Sequence, residues 1–312
     1  MIPAACHFVW IGDNFPWLNF AAMASAVHRG GFSRVTLHHT DDLEHEPNFR
    51  ALAELPRVVR HRLDPAREID SAYGPRLVDL YRRLLAPAAR SNLLRLAILV
   101  NRGGVYLDLD TVTCADLTPL RSAAFFCGNE HIAFPASLQR SPNPVAWSGA
   151  YLRSALRDVL RRSRRAVNLF RHVESWYPAR ANNAVLGAEA RHPFLFELCE
   201  RALALPGHVA MRRYALGTSL LQTALADTRR RDLVVHPPDV FYPLPPEISE
   251  HWFRADTHAR LADALSARTR VVHWYASVRT RKIVPRFDAS FLRDSRLLLA
   301  ELLRRALPGE SH

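Results

Sequence analysis

The sequence predicts an α/β fold in which helices cover a largely parallel sheet. Strand-like and helix-like segments alternate along the first half of the chain, which is the order expected of β-α-β units. A long helical pattern over 87–102 leads directly into an apolar strand pattern over 105–110. Strand-like segments return after residue 180, so the same sheet is expected to continue into the second half of the chain.

The early elements are defined by their hydrophobic pattern and by the turn residues at their ends. The first strand stops at Gly12, the first helix closes at Gly30-Gly31, and the second strand runs into the turn-forming pair Asp41-Asp42. The predicted elements before residue 65 are a strand over 6–12, a helix over 17–28, a strand over 33–39, a helix over 48–55 and a strand over 57–63.

The middle helix is the clearest single element. Pro87 suits its first turn, and Gly103-Gly104 suits its end. Its apolar residues recur at helical spacing, namely Leu93, Leu94, Ala97 and Ile98. Later predicted elements are strands over 183–188, 232–238 and 270–276, helices over 194–205 and 216–228, and a closing helix over 291–307.

Residues 143–178 have a different character and predict a helical insertion. One apolar stripe at helical spacing, as in an amphipathic helix, is formed by Leu152, Leu156, Val159, Leu160, Val167 and Phe170. Arginines crowd the remaining faces. We therefore expect one catalytic domain over 1–312, with 143–178 as a helical subdomain within it and 289–312 as a C-terminal helix and tail.

Composition and charge limit the class of protein. The chain has 312 residues, 48% of them apolar and 23% charged, which predicts a soluble globular protein with a sizeable core. Its net charge of +12 attracts anionic partners, but no nucleic-acid-binding motif accompanies it, so nucleic acid is not expected as a partner. The four cysteines have no zinc-like spacing, and no signal peptide or spanning segment is recognised, which predicts a cytoplasmic protein.

The basic insertion allows two interpretations that the sequence leaves open. A basic amphipathic helix can lie on an anionic membrane, which would place the protein peripherally on the inner face. The alternative is an ordinary solvated surface rich in arginine.

The stretch Asn101 to Val112, NRGGVYLDLDTV, places two carboxylates in an apolar strand pattern. Side chains alternate along a strand, so Asp108 and Asp110 are expected on one face. Two carboxylates on one side repel each other unless a cation or donors lie between them, and hard oxygen ligands favour Mg²⁺ or Mn²⁺. The pair would lie near the carboxyl end of its strand, where open α/β sheets bind ligands.

Three segments together resemble the DxD-containing sugar-nucleotide glycosyltransferases. They are HFVWIG at 7–12, SNLLRLAILVNRGGVYLDLD at 91–110 and VVHWYAS at 271–277. The nearest group is family 32, the capsular-polysaccharide and mannosyltransferase type, with the glucosylating domain of large clostridial toxins more distantly similar. The resemblance implies a GT-A fold, a nucleotide-sugar donor with UDP before GDP, a Mn²⁺ or Mg²⁺ ion, and retention of anomeric configuration.

The resemblance also implies roles for particular residues. Asp110 would ligate the metal, with Asp108 and His273 beside it. Arg95 and Asn92 would face the donor sugar, which Asp108 would also contact. The remaining donor-binding residues implied by the resemblance are Val9, Trp10, Ile11, Asn182, Asn183 and Ser277. The acceptor would be a saccharide, a lipid-linked sugar, a protein or a natural product.

Two positions depart from the family pattern. Many relatives have Asp where Asn92 stands, and an amide is neutral, so the donor preference is expected to differ. Many also have Trp where Val278 stands, and Arg279, Arg281 or Lys282 would have to replace the lost indole donor.

The catalytic carboxylate is less defined. Glu130, in FFCGNEH, is a candidate nucleophile near a strand end, and an ordinary surface or capping acid is the alternative. Front-face transfer, in which the leaving phosphate helps to deprotonate the acceptor, requires no protein nucleophile and is preferred here by analogy.

Two other functions fit parts of the sequence. VYLDLDTV also matches the haloacid-dehalogenase phosphatase signature, with Asp108 as nucleophile and Asp110 as acid. That fold requires a later lysine followed by paired acids, whereas the sole lysine is Lys282 and the only later aspartates are Asp288 and Asp294. A non-catalytic nucleotide- or carbohydrate-binding protein with a degenerate site is the other alternative.

Overall fold

The computed structural model describes residues 1–135, 138, 141–276 and 283–307. Over these residues the chain forms an α/β structure with a seven-stranded and a two-stranded sheet. The strands are β1 (Ala5–Trp10), β2 (Arg34–His39), β3 (Val58–Arg62), β4 (Gly104–Leu107), β5 (Thr111–Thr113), β6 (Phe125–His131), β7 (Ala179–Ala188), β8 (Leu233–His236) and β9 (Val271–His273).

Helices connect most of these strands. In chain order they are α1 (Trp17–Arg29), α2 (Pro47–Ala51), α3 (Pro65–Tyr73), α4 (Pro75–Arg83), α5 (Pro87–Arg102), α6 (Pro144–Leu160), α7 (Ala166–Val173), α8 (Pro193–Ala204), α9 (Gly207–Ala210), α10 (Thr218–Asp227), α11 (Pro238–Phe241), α12 (Leu261–Ala264), α13 (Ala289–Asp294) and α14 (Leu298–Ala306). Proline in the first turn supports several of them, including α5, because its missing N–H would have no partner there.

The large sheet has the strand order β3-β2-β1-β4-β7-β6-β8. β7 runs antiparallel to both of its neighbours, and the other described strand pairs of this sheet are parallel. The predicted α/β class with a mostly parallel sheet is therefore confirmed. β5 pairs with β9 in the small antiparallel sheet beside it.

The order of the strands creates a switch point between β1 and β4. From β1 the chain builds outward through β2 and β3, and it then returns to place β4 on the other side of β1. In open α/β sheets the carboxyl ends of two such strands bound the ligand crevice. The residues that follow β1 and β4 are therefore brought to one edge of the sheet.

α5 fixes β4 against the core. Its buried residues from Leu93 to Val100 pack among residues of α3, α4, α8 and α10 on one side of the sheet. α1 packs on the other side, and the C-terminal helices close a second apolar cluster. The middle helix and its Gly-Gly end are as predicted, with Gly103 and Gly104 at positive φ.

Two predicted elements differ from the structure. The strand predicted over 105–110 ends at Leu107. Asp108 lies just before a turn, and Asp110 lies within it. The single closing helix predicted over 291–307 is two helices, α13 and α14. The side-chain oxygen of Ser295 accepts from the N–H of Leu297 at 3.3 Å, a local bond that competes with helical hydrogen bonding between them.

The single apolar stripe predicted for the insertion is divided between buried and exposed positions. Leu160, Val167 and Phe170 are buried, but Leu152 and Val159 lie on the exposed side of α6. The arginines Arg153, Arg157 and Arg161 reach inward instead, because carboxylate and carbonyl partners are available there. Whether 143–178 is a separate subdomain stays a prediction.

None of the helices within the described ranges combines the length and the hydropathy that crossing a bilayer would require.

A row of three histidines crosses β1, β2 and β3 beside the Gly-Gly turn. His7 Nε2 lies 3.0 Å from the carbonyl of Gly103, and His7 Nδ1 lies 3.1 Å from His38 Nε2. His38 Nδ1 lies in turn 3.1 Å from His61 Nδ1. One set of neutral tautomers satisfies all three contacts, with each ring donating toward Gly103 and accepting from the next ring.

Burial lowers the pKa of each of these histidines, that of His7 to about 4, and nearby positive groups such as Arg102 add to the effect. The unfolded chain therefore binds more protons than the folded chain below the ordinary histidine pKa. The stability that the row contributes is present above about pH 6.5 and is lost as the pH falls toward 4.

We expect the free energy of unfolding to fall between pH 7 and pH 5, by up to about 1.4 kcal/mol per pH unit for each histidine that remains neutral in the fold. Urea denaturation at several pH values measures this slope. His38→Gln should reduce the slope, whereas His208→Gln, at an exposed position of α9, should leave it unchanged. An unchanged slope in His38→Gln would contradict the assignment.

Candidate active site

The turn between β4 and β5 carries the two aspartates from one sheet to the other. The N–H of Asp108 still donates to the carbonyl of Ala184 in β7 at 2.8 Å, which continues the large sheet by one bond. Two residues later the carbonyl of Asp110 accepts from the N–H of Trp274 at 3.0 Å, beside the β5-β9 pair. Both aspartates are thus fixed by main-chain bonds to different sheets.

His273, at the end of β9, completes a group with these aspartates. One ligand atom from each of Asp108, Asp110 and His273 can be chosen so that all three lie within 4.8 Å of one another. His273 Nε2 is 2.9 Å from one oxygen of Asp110, and the N–H of Ala276 donates to the other oxygen at 2.8 Å. The three side chains that sequence reasoning placed at a metal therefore converge.

The protonation of the group follows from burial and charge. Burial raises the pKa of Asp108 above its usual range, and Arg95 only partly opposes this. Burial acts in the same direction on Asp110, but His273 and the Ala276 N–H outweigh it and leave the pKa of Asp110 lowered. The pKa of His273 is raised, since attraction to Asp110 exceeds the effect of burial. Asp110 is accordingly the carboxylate that the site keeps ionised most firmly.

Arg95 connects three elements behind the aspartates. It rises from α5, is almost wholly buried, and donates to the main-chain carbonyl of Asn183 in β7. Its guanidinium also donates to Asp108 at 2.5 Å and lies 4.2 Å from the centre of the Tyr106 ring in β4. The Tyr106 hydroxyl donates to the same oxygen of Asp108 at 2.9 Å. Asp108 is therefore oriented by two donors.

Two asparagines lie beside Arg95. The side-chain amide of Asn183 donates to the side-chain oxygen of Asn92 at 2.8 Å, which links β7 to α5. Gly217, at the start of α10, packs directly on this pair: a Cβ atom built on it would lie 3.1 to 3.3 Å from the amide atoms of Asn92 and Asn183. Arg95, the two asparagines and Gly217 line a recess that leucines complete, so these amides lie at the boundary between polar site and apolar core.

Glu130 lies behind the group rather than in it. This buried carboxylate, in β6, accepts from the Tyr275 hydroxyl at 2.8 Å, and the Tyr275 ring lies 4.0 Å from the His273 ring, centre to centre. Burial raises the pKa of Glu130, and hydrogen bonds from Tyr275 and Asn182 moderate the shift. The carboxylate is linked to His273 through a tyrosine.

The end of β1 places Val9, Trp10 and the following residue Ile11 at the same edge of the sheet. Val9 is buried, and Trp10 and Ile11 are partly exposed. The indole N–H of Trp10 donates to the carbonyl of Asn14 at 2.7 Å, and its ring meets Phe15 edge-on. The ring is held in place by these contacts while its surface stays partly open.

The structure places most of the predicted site residues together. Asn182, like Asn183, lies within β7, and its side-chain oxygen accepts from the N–H of Ala184 at 2.8 Å. Ser277 lies outside the described residues, as do Val278, Arg279, Arg281 and Lys282. Sequence reasoning gave no role to Tyr106, although its position two residues before Asp108 in a strand pattern predicts a shared face.

The donor set suits a hard divalent cation. Two carboxylates and one imidazole supply oxygen and nitrogen ligands of the kind that Mn²⁺ and Mg²⁺ accept, with Mn²⁺ the more tolerant of nitrogen. The other ring nitrogen of His273 is buried and has no hydrogen-bond partner within the described part of the chain. The residues present therefore fit the cation that a DXD motif implies.

The N-terminal part of the chain contains the region shared with known proteins. Residues 3–126 match a family model described as a glycosyltransferase sugar-binding region containing a DXD motif. Over these residues the chain resembles the DXD-type glycosyltransferases. The match favours a transferase over the phosphatase alternative and covers β1, α5 and both aspartates of the motif. No curated protein sequence matches the chain.

Several solved structures are similar to this chain. The UDP-bound glycosyltransferase domain of the YGT toxin is 12% identical, with a TM-score of 0.43, 75% of this chain and 79% of that chain covered. Mouse xyloside xylosyltransferase 1 is 15% identical, with a TM-score of 0.45 and coverages of 87% and 98%. GlyE from Streptococcus pneumoniae is 12% identical, with a TM-score of 0.47 and coverages of 98% and 62%. At these values the likenesses assign no role to a residue.

We expect Gly217→Ala to lower kcat/KM for sugar transfer by roughly tenfold or more, because the added methyl group must displace Asn92 or Asn183 from its present position. Gly207→Ala is the matched control, since nothing lies within 4 Å of a Cβ atom at that position. Circular dichroism would verify that both variants are folded. Equal activity of the two folded variants would contradict the expectation that transfer depends on the present position of the asparagine pair.

Proposed function

We propose that this protein is a metal-dependent, retaining glycosyltransferase, and that it moves a hexose-type sugar from a nucleotide-sugar donor, UDP before GDP. The observation that carries the proposal is the convergence of Asp108, Asp110 and His273 beside the Arg95 and asparagine cluster. The family 32 type, the UDP carrier and retention rest on the resemblance of the sequence, and the acceptor is a saccharide, lipid-linked, protein or natural-product hydroxyl.

Asp110 and His273 would hold the cation directly, with Asp108 beside them. A bound divalent cation would act as a Lewis acid that neutralises the charge growing on the departing diphosphate. Asp110 suits the ligand role because its pKa is lowered and its orientation is fixed by the Ala276 N–H. Asp108 suits a different role, contact with the donor sugar. Arg95 and Tyr106 both donate to one of its oxygens and thereby orient the other.

The donor sugar would lie against Asn92, Asn183 and Arg95. These side chains offer amide and guanidinium donors and amide acceptors, the groups that pair with sugar hydroxyls. Trp10 would meet the nucleobase, because its partly exposed ring ends β1 at the same edge of the sheet. The neutral Asn92 would make the donor preference differ from that of relatives with aspartate there.

Glu130 would act as a positioning residue rather than as a nucleophile. Its carboxylate is engaged by Tyr275, whose ring packs on His273, so its effect on the reaction would pass through the orientation of His273. This supports front-face transfer, in which the acceptor hydroxyl passes its proton to the leaving phosphate oxygen while the new glycosidic bond forms on the same face.

The cytoplasm is the proposed compartment. The cysteines Cys6, Cys114, Cys127 and Cys199 are free thiols, and all but Cys114 are buried. Free thiols are typical of a reducing compartment.

We expect Asp110→Asn to reduce Mn²⁺-dependent release of nucleoside diphosphate from a nucleotide sugar by roughly a hundredfold or more, because the amide is a poor metal ligand. Calorimetric titration with Mn²⁺ alone should show the same loss of binding. Asp79→Asn, at an exposed residue of α4, is the control and should change neither quantity.

A panel of substrates separates the alternatives. A transferase releases nucleoside diphosphate from its donor when Mn²⁺ is present, whereas a haloacid-dehalogenase-type phosphatase cleaves a simple phosphate ester. A binding protein does neither. Full turnover by Asp110→Asn would remove the metal assignment while leaving the transferase assignment in place.

The positioning role of Glu130 has its own test. Glu130→Gln keeps an acceptor for the Tyr275 hydroxyl, so we expect it to retain transfer within about tenfold of the wild-type rate. Glu130→Ala should lose more, and the thermal stability of both variants would be measured alongside. A complete loss of turnover in folded Glu130→Gln would instead identify a nucleophile.

A further inference from the structure

The most exposed residues of α6 are uncharged. Arg153 and Arg157 of this 17-residue helix are partly buried, and the carboxylate of Asp158, whose side chain is 43% exposed, pairs with Arg157. The exposed residues are Pro144, Val145, Ser148, Tyr151, Leu152, Ala155 and Val159. A solvated helix normally shows the opposite arrangement, with its charges outward.

Three aliphatic residues form a row along this outward side. Val145, Leu152 and Val159 are 76%, 71% and 65% exposed, and seven residues separate each from the next. Seven residues are close to two helical turns, so the row runs about 21 Å along one side of the helix. Tyr151, 63% exposed, lies next to it and adds an aromatic ring with a polar tip.

Arg153 and Arg157 of α6, and Arg161 directly after it, are directed inward, although arginine is more hydrophilic than valine or leucine. Arg157 reaches within 3.5 Å of Glu247, and the Nε of Arg161 lies 3.2 Å from Glu250. The Nε of Arg153 donates to a main-chain carbonyl at 3.3 Å. Each inward arginine therefore has an anionic or carbonyl partner, while the apolar residues are left outside.

Positive charge flanks the exposed apolar row. Arg162, Arg164 and Arg165 are exposed immediately after α6, and the whole chain carries a net charge of +12. An apolar row beside exposed arginines is complementary to a surface that is anionic outside and apolar beneath. Two copies of this chain would bring like charges together, which disfavours a second copy as the occupant.

We propose that α6 docks this protein on an anionic membrane surface. The row Val145, Leu152 and Val159 enters the boundary between headgroups and acyl chains, Tyr151 lies at headgroup level, and Arg162, Arg164 and Arg165 contact anionic headgroups. Three aliphatic side chains bury little area, so the attachment is reversible and sensitive to salt. This inference does not depend on the identity of the donor sugar.

Vesicle sedimentation of the full chain tests the docking. Wild-type protein should sediment with vesicles of phosphatidylcholine containing about one third phosphatidylglycerol at low salt, and much less with phosphatidylcholine alone or at high salt. Leu152→Asp should lower the partition coefficient about tenfold or more through the lost apolar contact and the added negative charge.

The matched control is Leu85→Asp. Leu85 is 85% exposed between α4 and α5, so the substitution makes the same change of charge and side chain away from α6. Both variants should keep the wild-type melting temperature because both positions are exposed. Leu85→Asp should keep most of the vesicle binding, and an equal loss in the two variants would overturn the role of the row.

Sedimentation velocity without vesicles examines the competing occupant. A monomer that binds anionic vesicles supports the proposal. A dimer that Leu152→Asp dissociates, together with no vesicle binding by the wild type, would overturn it and identify α6 as an interface between copies. Absence of both vesicle binding and dimerisation would also overturn it.

Discussion

The buried contact between Arg95 and Asp108 is the interaction on which the site depends. A guanidinium inside a protein loses its hydration, and this loss is offset only when well-placed acceptors replace water. Here the acceptors come from β4 and β7, while the arginine itself comes from α5. The three elements must therefore meet in one arrangement for the charge to be tolerated. Removing one partner of such a pair typically costs about 3 to 5 kcal/mol.

This contact also explains why Asp108 and Asp110, only two positions apart, are held by different partners. Asp108 accepts from Arg95 and Tyr106, so its position is determined by the large sheet. Asp110 accepts from His273 and Ala276, so its position is determined by the segment around β9. Mutual repulsion between the carboxylates is reduced because each has its own positive or N–H partner. The same short motif thus supplies one carboxylate held by the large sheet and one held by the segment around β9.

Much of the fold could be predicted from the sequence because its patterns are local. The helix from Pro87 and its Gly-Gly end follow from hydrophobic spacing and from positive φ at Gly103 and Gly104. The antiparallel direction of β7 could not be predicted, since it depends on pairing with strands far away in sequence. At the break between α13 and α14 the Ser295 side chain accepts a hydrogen bond from the main chain, and a hydrophobic pattern does not reveal such a bond. Helical periodicity identifies the apolar residues of α6 but not which of them are buried, so the exposed row could not be predicted.

The pairing of β5 with β9 has a consequence for how the chain acquires its site during synthesis. Thr111 pairs with His273, so 162 residues separate the two halves of the Asp-Asp-His group along the chain. The region matched by the family model ends at residue 126 and therefore holds both acids without the imidazole. The Asp-Asp-His group is therefore complete only after the chain has been synthesised through β9, and a product truncated before that strand would lack the imidazole.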